Sequence, residues 1–97
     1  MFIAAAQIRL RLEANHSLKG KRHVVKSVID RLKDKFGVAA AEVESHELWQ
    51  IADIGIAAVS GNALHAEDII RNAVKYVETS RPDVELVDVA IDTVPFP

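Results

Sequence analysis

The sequence has no cysteine, few aromatic residues and no long apolar run. Without cysteine, disulfide bonds, thiolate catalysis and cysteine-based zinc sites are excluded. No stretch approaches the roughly 18 apolar residues of a membrane-spanning helix, so no membrane partner is expected. The first ten residues lack a basic segment and already alternate like a strand, which argues against a signal peptide. A cytoplasmic location is the resulting expectation.

The motifs of common catalytic sites are also missing. There is no glycine-rich phosphate loop, no nucleophile elbow and no HExxH pattern, and the whole chain has only four glycines. His16 and His46, with Glu47, would offer metal ligands, but their spacing is not that of a metal site. We therefore predict no catalytic residue, no cofactor and no metal.

What the sequence does contain is regular hydrophobic periodicity over 97 residues, 49% of them hydrophobic, which predicts one domain spanning 1–97. Period-two alternation predicts four strands, at 2–13, 38–45, 50–59 and 84–94. Helical spacing predicts one helix from Leu18 that ends at Gly37, and a second that begins after Asn62 and stops at Arg81-Pro82-Asp83. Asn62 is the expected N-cap of the second helix.

The order β-α-β-β-α-β predicts an α+β fold, namely the ferredoxin-like two-layer sandwich. Its antiparallel sheet has the strand order 4-1-3-2, and both helices cover one face of it. The other face is left open. In this topology one rim of the sheet gathers the end of strand 1, the start of helix 1, the 46–49 hairpin and the end of helix 2.

The charge distribution is asymmetric although the formal net charge is only −2. Residues 19–35 hold seven of the 12 lysines and arginines but only two acids, which leaves five basic and 12 acidic residues elsewhere. Lysines and arginines at a helix start oppose the helix dipole unless an anion lies nearby. The candidate anion- or RNA-binding residues at this rim and along helix 1 are His16, Ser17, Lys19, Lys21, Arg22, Lys26, Lys33 and Arg81.

Four of these cations, Lys19, Arg22, Lys26 and Lys33, are spaced three, four and seven residues apart and share one side of helix 1. Such a stripe is able to follow phosphates. Asp30 interrupts the stripe, and the alternative is that the stripe is an ordinary solvated face. For the cations at the rim, the alternative is that their long side chains point to water, with Glu47 or Glu78 as counter-charges.

The open sheet face offers a second candidate surface. Strand parity places Glu42, Glu44 and Leu86 on it, together with arginines and aspartates from the neighbouring strands. With a single tryptophan at its margin, this face does not resemble a base-stacking RNA platform. Opposed charges favour a self-complementary contact and a homodimer, with the candidate interface residues Arg9, Arg11, Trp49, Asp53 and Asp88. The alternatives are a solvated face with weak ion pairs, and a tryptophan packed across its own hairpin.

Residues 17–60, SLKGKRHVVKSVIDRLKDKFGVAAAEVESHELWQIADIGIAAVS, closely resemble the YlxP-like family of small bacterial proteins, and HAEDII at 65–70 fits as well. The resemblance implies a ferredoxin-like architecture for proteins that are largely of unknown function. In some bacteria such proteins are encoded near translation-initiation and ribosome-maturation factors, which implies an RNA- or ribosome-linked role. Gly20 departs from the family, which usually has an acidic residue there; with Ser17 that residue would complete a capping box.

Three functions follow as hypotheses. The first is a non-enzymatic module that binds RNA or a ribosomal partner through the basic rim and helix 1. The second is a small enzyme that acts on a phosphorylated or acidic substrate at the same rim. The third is a regulatory protein-interaction module that dimerises through its open sheet face.

Overall fold

The chain follows the predicted β-α-β-β-α-β order in a computed structural model that describes residues 1–97. The elements are β1 (Phe2–Arg11), α1 (Leu18–Phe36), β2 (Ala39–Glu44), β3 (Ile51–Ser60), α2 (Ala63–Ser80) and β4 (Glu85–Pro95). The sheet order is β2-β3-β1-β4, with every neighbouring pair antiparallel. Read from the other edge this is 4-1-3-2, so the ferredoxin-like prediction is confirmed.

Both helices begin at a residue that caps them. The Ser17 hydroxyl accepts a hydrogen bond from the Gly20 N–H at 3.0 Å, and the Asn62 side chain accepts one from the His65 N–H. Gly37 ends α1 in the left-handed conformation at φ 65°, and its N–H donates to the Lys33 carbonyl. Neither helix carries an apolar stretch long enough to cross a membrane.

The core lies between the helices and one face of the sheet. It contains 18 buried apolar residues, and several large ones are fully enclosed, including Ile8, Leu10, Leu32, Ile54 and Ile70. Burial of each such side chain contributes about 1.5–3 kcal/mol. On α1 the buried positions Val25, Val28 and Leu32 follow the predicted helical spacing. Helix packing against the sheet therefore fixes the outward face of α1.

Strand parity fails at two irregularities in the ladders. The pairing of β2 with β3 shifts between Glu42 and Glu44, and Glu42 lies opposite the core residue Ile54. The pairing of β1 with β4 shifts after Arg9, which places Leu86 opposite the buried Leu10. Because side chains alternate between faces, Glu42 and Leu86 lie on the helix side of the sheet. Their predicted place on the open face was wrong.

The edge strand β4 uses two aspartates to bond its own backbone. Asp88 Oδ1 accepts from the Val89 N–H at 2.9 Å, and Asp92 Oδ1 accepts from the Thr93 N–H at 2.8 Å. Both N–H groups belong to a strand that ends the sheet. These donors therefore have intramolecular partners.

Candidate nucleic-acid interface

Hydrogen bonds join the start of α1 to the hairpin between β2 and β3. The Asn15 amide nitrogen donates to the Ser17 carbonyl at 2.8 Å and to the Trp49 carbonyl at 2.6 Å. The Gln50 amide nitrogen donates to the carbonyls of Glu13 and Asn15 at 2.9 and 3.1 Å. The β1–α1 loop and the hairpin thus share one rim, as the topology predicted.

Gly20 makes room for this connection. A Cβ at position 20 would lie 2.2 Å from Asn15 Oδ1 and 3.1 Å from the Ser17 hydroxyl. Any side chain there would displace the Asn15 amide, which holds Ser17 and Trp49 together. The departure from the acidic residue of the YlxP-like pattern is therefore matched by the packing of this loop.

Lys21 does not belong to the exposed cations of the rim. Lys21 is only 2% exposed, and its ammonium lies 2.9 Å from Glu42 Oε2 and 2.5 Å from the Ser45 carbonyl. Glu42 Oε2 is itself buried and accepts no well-directed hydrogen bond, so its contact with Lys21 is mainly electrostatic. Because both charges are already paired inside the molecule, we leave Lys21 out of the anion-binding surface.

A chain of polar contacts continues from Lys21 through the sheet. The Ser45 hydroxyl donates to Asp53 Oδ2 at 2.5 Å, and the Arg9 guanidinium donates to both Asp53 oxygens at 2.9 and 3.2 Å. Ser45 adopts a positive φ of 58°, an uncommon conformation for a residue with a side chain. The polar cluster formed by Lys21, Glu42, Ser45, Asp53 and Arg9 therefore ties α1, the hairpin and the sheet together.

Asp53 is the buried centre of this cluster. The hydrogen bond from Arg9, helped by that from Ser45, lowers the pKa of Asp53 below its ordinary value, although burial acts in the opposite direction. The same hydrogen bond raises the pKa of Arg9. Asp53 is thus held as a carboxylate, and its charge is satisfied within the chain.

The cationic stripe of α1, defined as Lys19, Arg22, Lys26 and Lys33, is exposed along its length. Lys26 pairs with Asp30 at 2.7 Å, an exposed contact of the kind that contributes little. The other three residues take part in none of the salt bridges of the chain. The stripe therefore presents cationic groups that are free to meet a polyanion.

The remaining basic residues near this surface are engaged elsewhere. Lys35 lies over the Tyr76 ring at 5.1 Å, and the guanidinium of Arg31 lowers the pKa of Tyr76, so both residues face α2. Arg81 donates twice to Asp83 at 2.9 and 2.7 Å, which raises the pKa of Arg81. Arg81 lies at the rim as predicted, but its charge is neutralised there.

The candidate interface residues separate into two groups. Arg9 lies between Asp53 and Asp88 in one row of the sheet, and Arg11 approaches Glu85 at 3.5 Å, so these charges face one another within the chain. Trp49 lies in the hairpin, ahead of the first residue of β3, and is 54% exposed. It lines one cleft at the rim together with His16.

The sequence carried a signal for Lys21 that reasoning from charge missed. Lys21, Val25, Val28 and Leu32 are spaced four, three and four apart, which is the spacing of one buried helix face. The histidines, by contrast, assemble no site: the chain holds no group of three or more His, Asp or Glu side chains placed to bind a metal ion. The His46 ring nitrogen lies instead 3.2 Å from the Glu42 carbonyl.

The fold and this surface define an α+β sandwich with one exposed cationic helix face. The model of a family described as "Protein of unknown function (DUF503)" matches residues 3–91, and the chain belongs to that family. It is also 35% identical over 69 residues to the uncharacterized protein YlxP of Bacillus subtilis (strain 168), over 71% of this chain and 74% of that protein. The resemblance to YlxP-like proteins is thereby confirmed, and neither description assigns an activity.

Proposed function

We propose that the protein is a non-enzymatic, cytoplasmic binding module that docks RNA, free or in a ribosomal particle, along the cationic stripe of α1. The observation that carries this proposal is the exposed set Lys19, Arg22 and Lys33, which has no acidic partner on a chain whose net charge is negative. Lysine and arginine side chains without acidic partners attract a polyanion and release its counterions on contact.

The geometry of a helix suits this role. Lys19 and Lys33 are 14 residues apart, which at the ordinary helical rise separates their Cα atoms by about 21 Å. The stripe therefore has room for several consecutive phosphates rather than for one small anion. A small-molecule substrate would use only a fraction of it, which favours a nucleic acid over a phosphorylated metabolite.

Neutralising two stripe residues is expected to weaken RNA binding. Lys19→Gln with Lys33→Gln removes two phosphate contacts, so affinity for single-stranded RNA should fall on the order of tenfold at low salt. The slope of log K against log salt should become shallower by roughly 1.4. Fluorescence anisotropy of a labelled RNA between about 50 and 200 mM salt measures both quantities.

The matched control moves the same change of charge to α2. Arg71→Gln with Lys75→Gln also lowers the net charge by two, and both residues are exposed. This variant should bind RNA within about twofold of the parent protein. Equal losses of affinity in the two variants would show that overall charge, and not the stripe, determines RNA binding. Absence of binding by the parent protein at low salt would refute the proposed function.

A second candidate function, a module that pairs with a copy of itself, is favoured by a trough on the open sheet face. The trough has a volume of about 550 Å³ and is lined mainly by small apolar residues from all four strands, among them Ala5, Ala39, Ala41, Gly55, Ala57 and Ala90. Three exposed valines, Val43, Val59 and Val94, add further apolar surface to this side. A two-fold contact would cover identical patches on both copies.

The size of this face limits the strength of such a pairing. Four strands of ordinary spacing and length offer on the order of 500 Å² per copy, about the lower limit of a specific interface. We therefore expect a dimer that dissociates at moderate dilution rather than an obligate one.

Placing a charge in the trough is expected to abolish the pairing. Ala57→Glu would put a carboxylate at the centre of the face without touching the core, because Ala57 is paired with Ala5 on one side and Ala39 on the other. Sedimentation velocity over a concentration series should show at least a tenfold weaker dimer. Ala14→Glu, at an exposed loop position, is the control. A parent protein that remains monomeric at the highest concentration would rule out this candidate.

A further inference from the structure

Trp49 is the most exposed aromatic ring system at the rim. It is 54% exposed, and its neighbour Leu48 is 51% exposed. Large apolar side chains of this kind are usually buried, and an indole left half in water commonly meets a partner. The hairpin therefore presents an aromatic face that the fold itself does not use.

The backbone that carries Trp49 is held in place. Its carbonyl accepts from Asn15, the next residue Gln50 donates to two carbonyls of the β1–α1 loop, and the Leu12 N–H donates to the Gln50 carbonyl at 2.8 Å. The Leu48 N–H closes the hairpin on the Ser45 carbonyl at 3.0 Å. Because this backbone is already ordered, stacking a flat ligand on the ring costs little further conformational entropy.

The surroundings of Trp49 identify the chemistry of that ligand. A cleft of about 580 Å³ is lined by His16, Glu47, Leu48, Trp49, Gln50 and Ile51. The Glu47 carboxylate repels a phosphate and therefore disfavours one inside the cleft. It is able to accept hydrogen bonds from the exocyclic amino group of cytosine or of adenine. The cleft therefore suits a base. Its phosphates would meet the cationic stripe, which begins at Lys19, two residues after the Ser17 that Asn15 joins to the Trp49 carbonyl.

We infer that Trp49 stacks on an unpaired base of single-stranded RNA whose backbone follows α1, an inference that rests on the proposed function. A base in the middle of a duplex already has both faces covered by its neighbours. Stacking on an exposed indole therefore selects single strands, loops or frayed ends. The cationic stripe of α1 attracts any RNA through its charge, and stacking on Trp49 would add a preference for unpaired RNA.

Trp49 is the one tryptophan of the chain, so its fluorescence reports on its own surroundings. We would titrate the protein with oligoadenylate of about 12 nucleotides, single-stranded or paired with oligouridylate, at low salt. The expected result is quenching of Trp49 by the single strand and little quenching by the duplex. By anisotropy of labelled RNA, Trp49→Ala should weaken single-strand binding about fivefold to 150-fold, whereas Trp49→Phe, which keeps a ring, should lose much less.

Leu64→Ala is the matched control, since it removes a large apolar side chain that is 72% exposed at the start of α2, outside the cleft, and should change affinity less than about twofold. Far-ultraviolet circular dichroism confirms that each variant is folded. Single-strand binding that is lost in the α1 variant but unchanged in Trp49→Ala would overturn the stacking inference and leave the proposed function standing. Equal quenching and affinity for the duplex would overturn the single-strand preference, and no RNA binding at all would overturn both proposals.

Discussion

Replacing Lys21 by alanine is expected to lower the free energy of unfolding by about 3–5 kcal/mol, a large fraction of the stability of so small a protein. The Lys21 ammonium is the charged partner of Glu42 and also donates to the Ser45 carbonyl. Its removal leaves the buried Glu42 oxygen without a counter-charge, takes one of two donors from the Ser45 carbonyl, and adds a cavity under α1. Urea denaturation followed by circular dichroism measures the loss.

A double variant separates the buried charge from the packing. Lys21→Met with Glu42→Leu keeps similar volume and removes both charges, and is expected to recover most of the stability lost in Lys21→Met alone. A single alanine variant that loses less than about 1 kcal/mol would contradict the burial of Lys21. The double variant should also bind RNA as the parent protein does, because Lys21 is excluded from the cationic stripe.

Replacing Asp53 by asparagine is expected to destabilise the protein by about 2 kcal/mol at neutral pH. The carboxylate accepts from Arg9 twice and from Ser45 once, and its side chain is 3% exposed. Asparagine keeps the shape, but it removes the charge and one of the two acceptor oxygens. The loss is moderated because Arg9, half exposed, is able to turn toward water.

This loss should depend on pH in a defined direction. The folded pKa of Asp53 lies below its ordinary value of 3.8, so the folded state binds this proton less readily than the unfolded chain does. The stabilisation is therefore complete well above pH 3.8 and is lost as the pH falls through the lowered folded pKa. The difference in unfolding free energy between the parent protein and Asp53→Asn should shrink progressively as the pH falls below about 5.

Asp68→Asn is the control for this pH series, since Asp68 is exposed on α2 and takes part in none of the salt bridges. It should change the pH profile of stability far less. A difference between parent and Asp53→Asn that stayed constant down to pH 2.5, or grew on acidification, would contradict the assignment of Asp53 as a charged centre.

Local periodicity was sufficient to predict the architecture. In α1 and α2 the apolar residues have helical spacing, and in β1 and β3 they alternate. Only a sheet covered on one face by both helices buries the apolar side of all four elements. The rim could be predicted for the same reason, because strand direction fixes which loops meet. The predicted N-cap Asn62 supported the start of α2, and the structure adds Ser17 as the cap of α1.

Details that depend on tertiary contacts could not be read in this way. The shifts in the β2 and β4 ladders exchange the faces of Glu42 and Leu86, and nothing in a period-two pattern marks them. Lys21 was assigned to the surface by its charge although it has core spacing, since its partner Glu42 comes from a distant strand. Whether a lysine faces water or a carboxylate is decided by that long-range pairing.

The way β4 bonds its own N–H groups bears on how copies of the chain meet at high concentration. Strand addition needs free backbone donors along an edge, and at Val89 and Thr93 these are already occupied by aspartates whose charge also repels an incoming acidic strand. The opposite edge, β2, offers only six residues. Extension of the sheet into swapped or fibrillar arrays is therefore restricted at both margins, which directs contacts between molecules toward the faces of the sandwich.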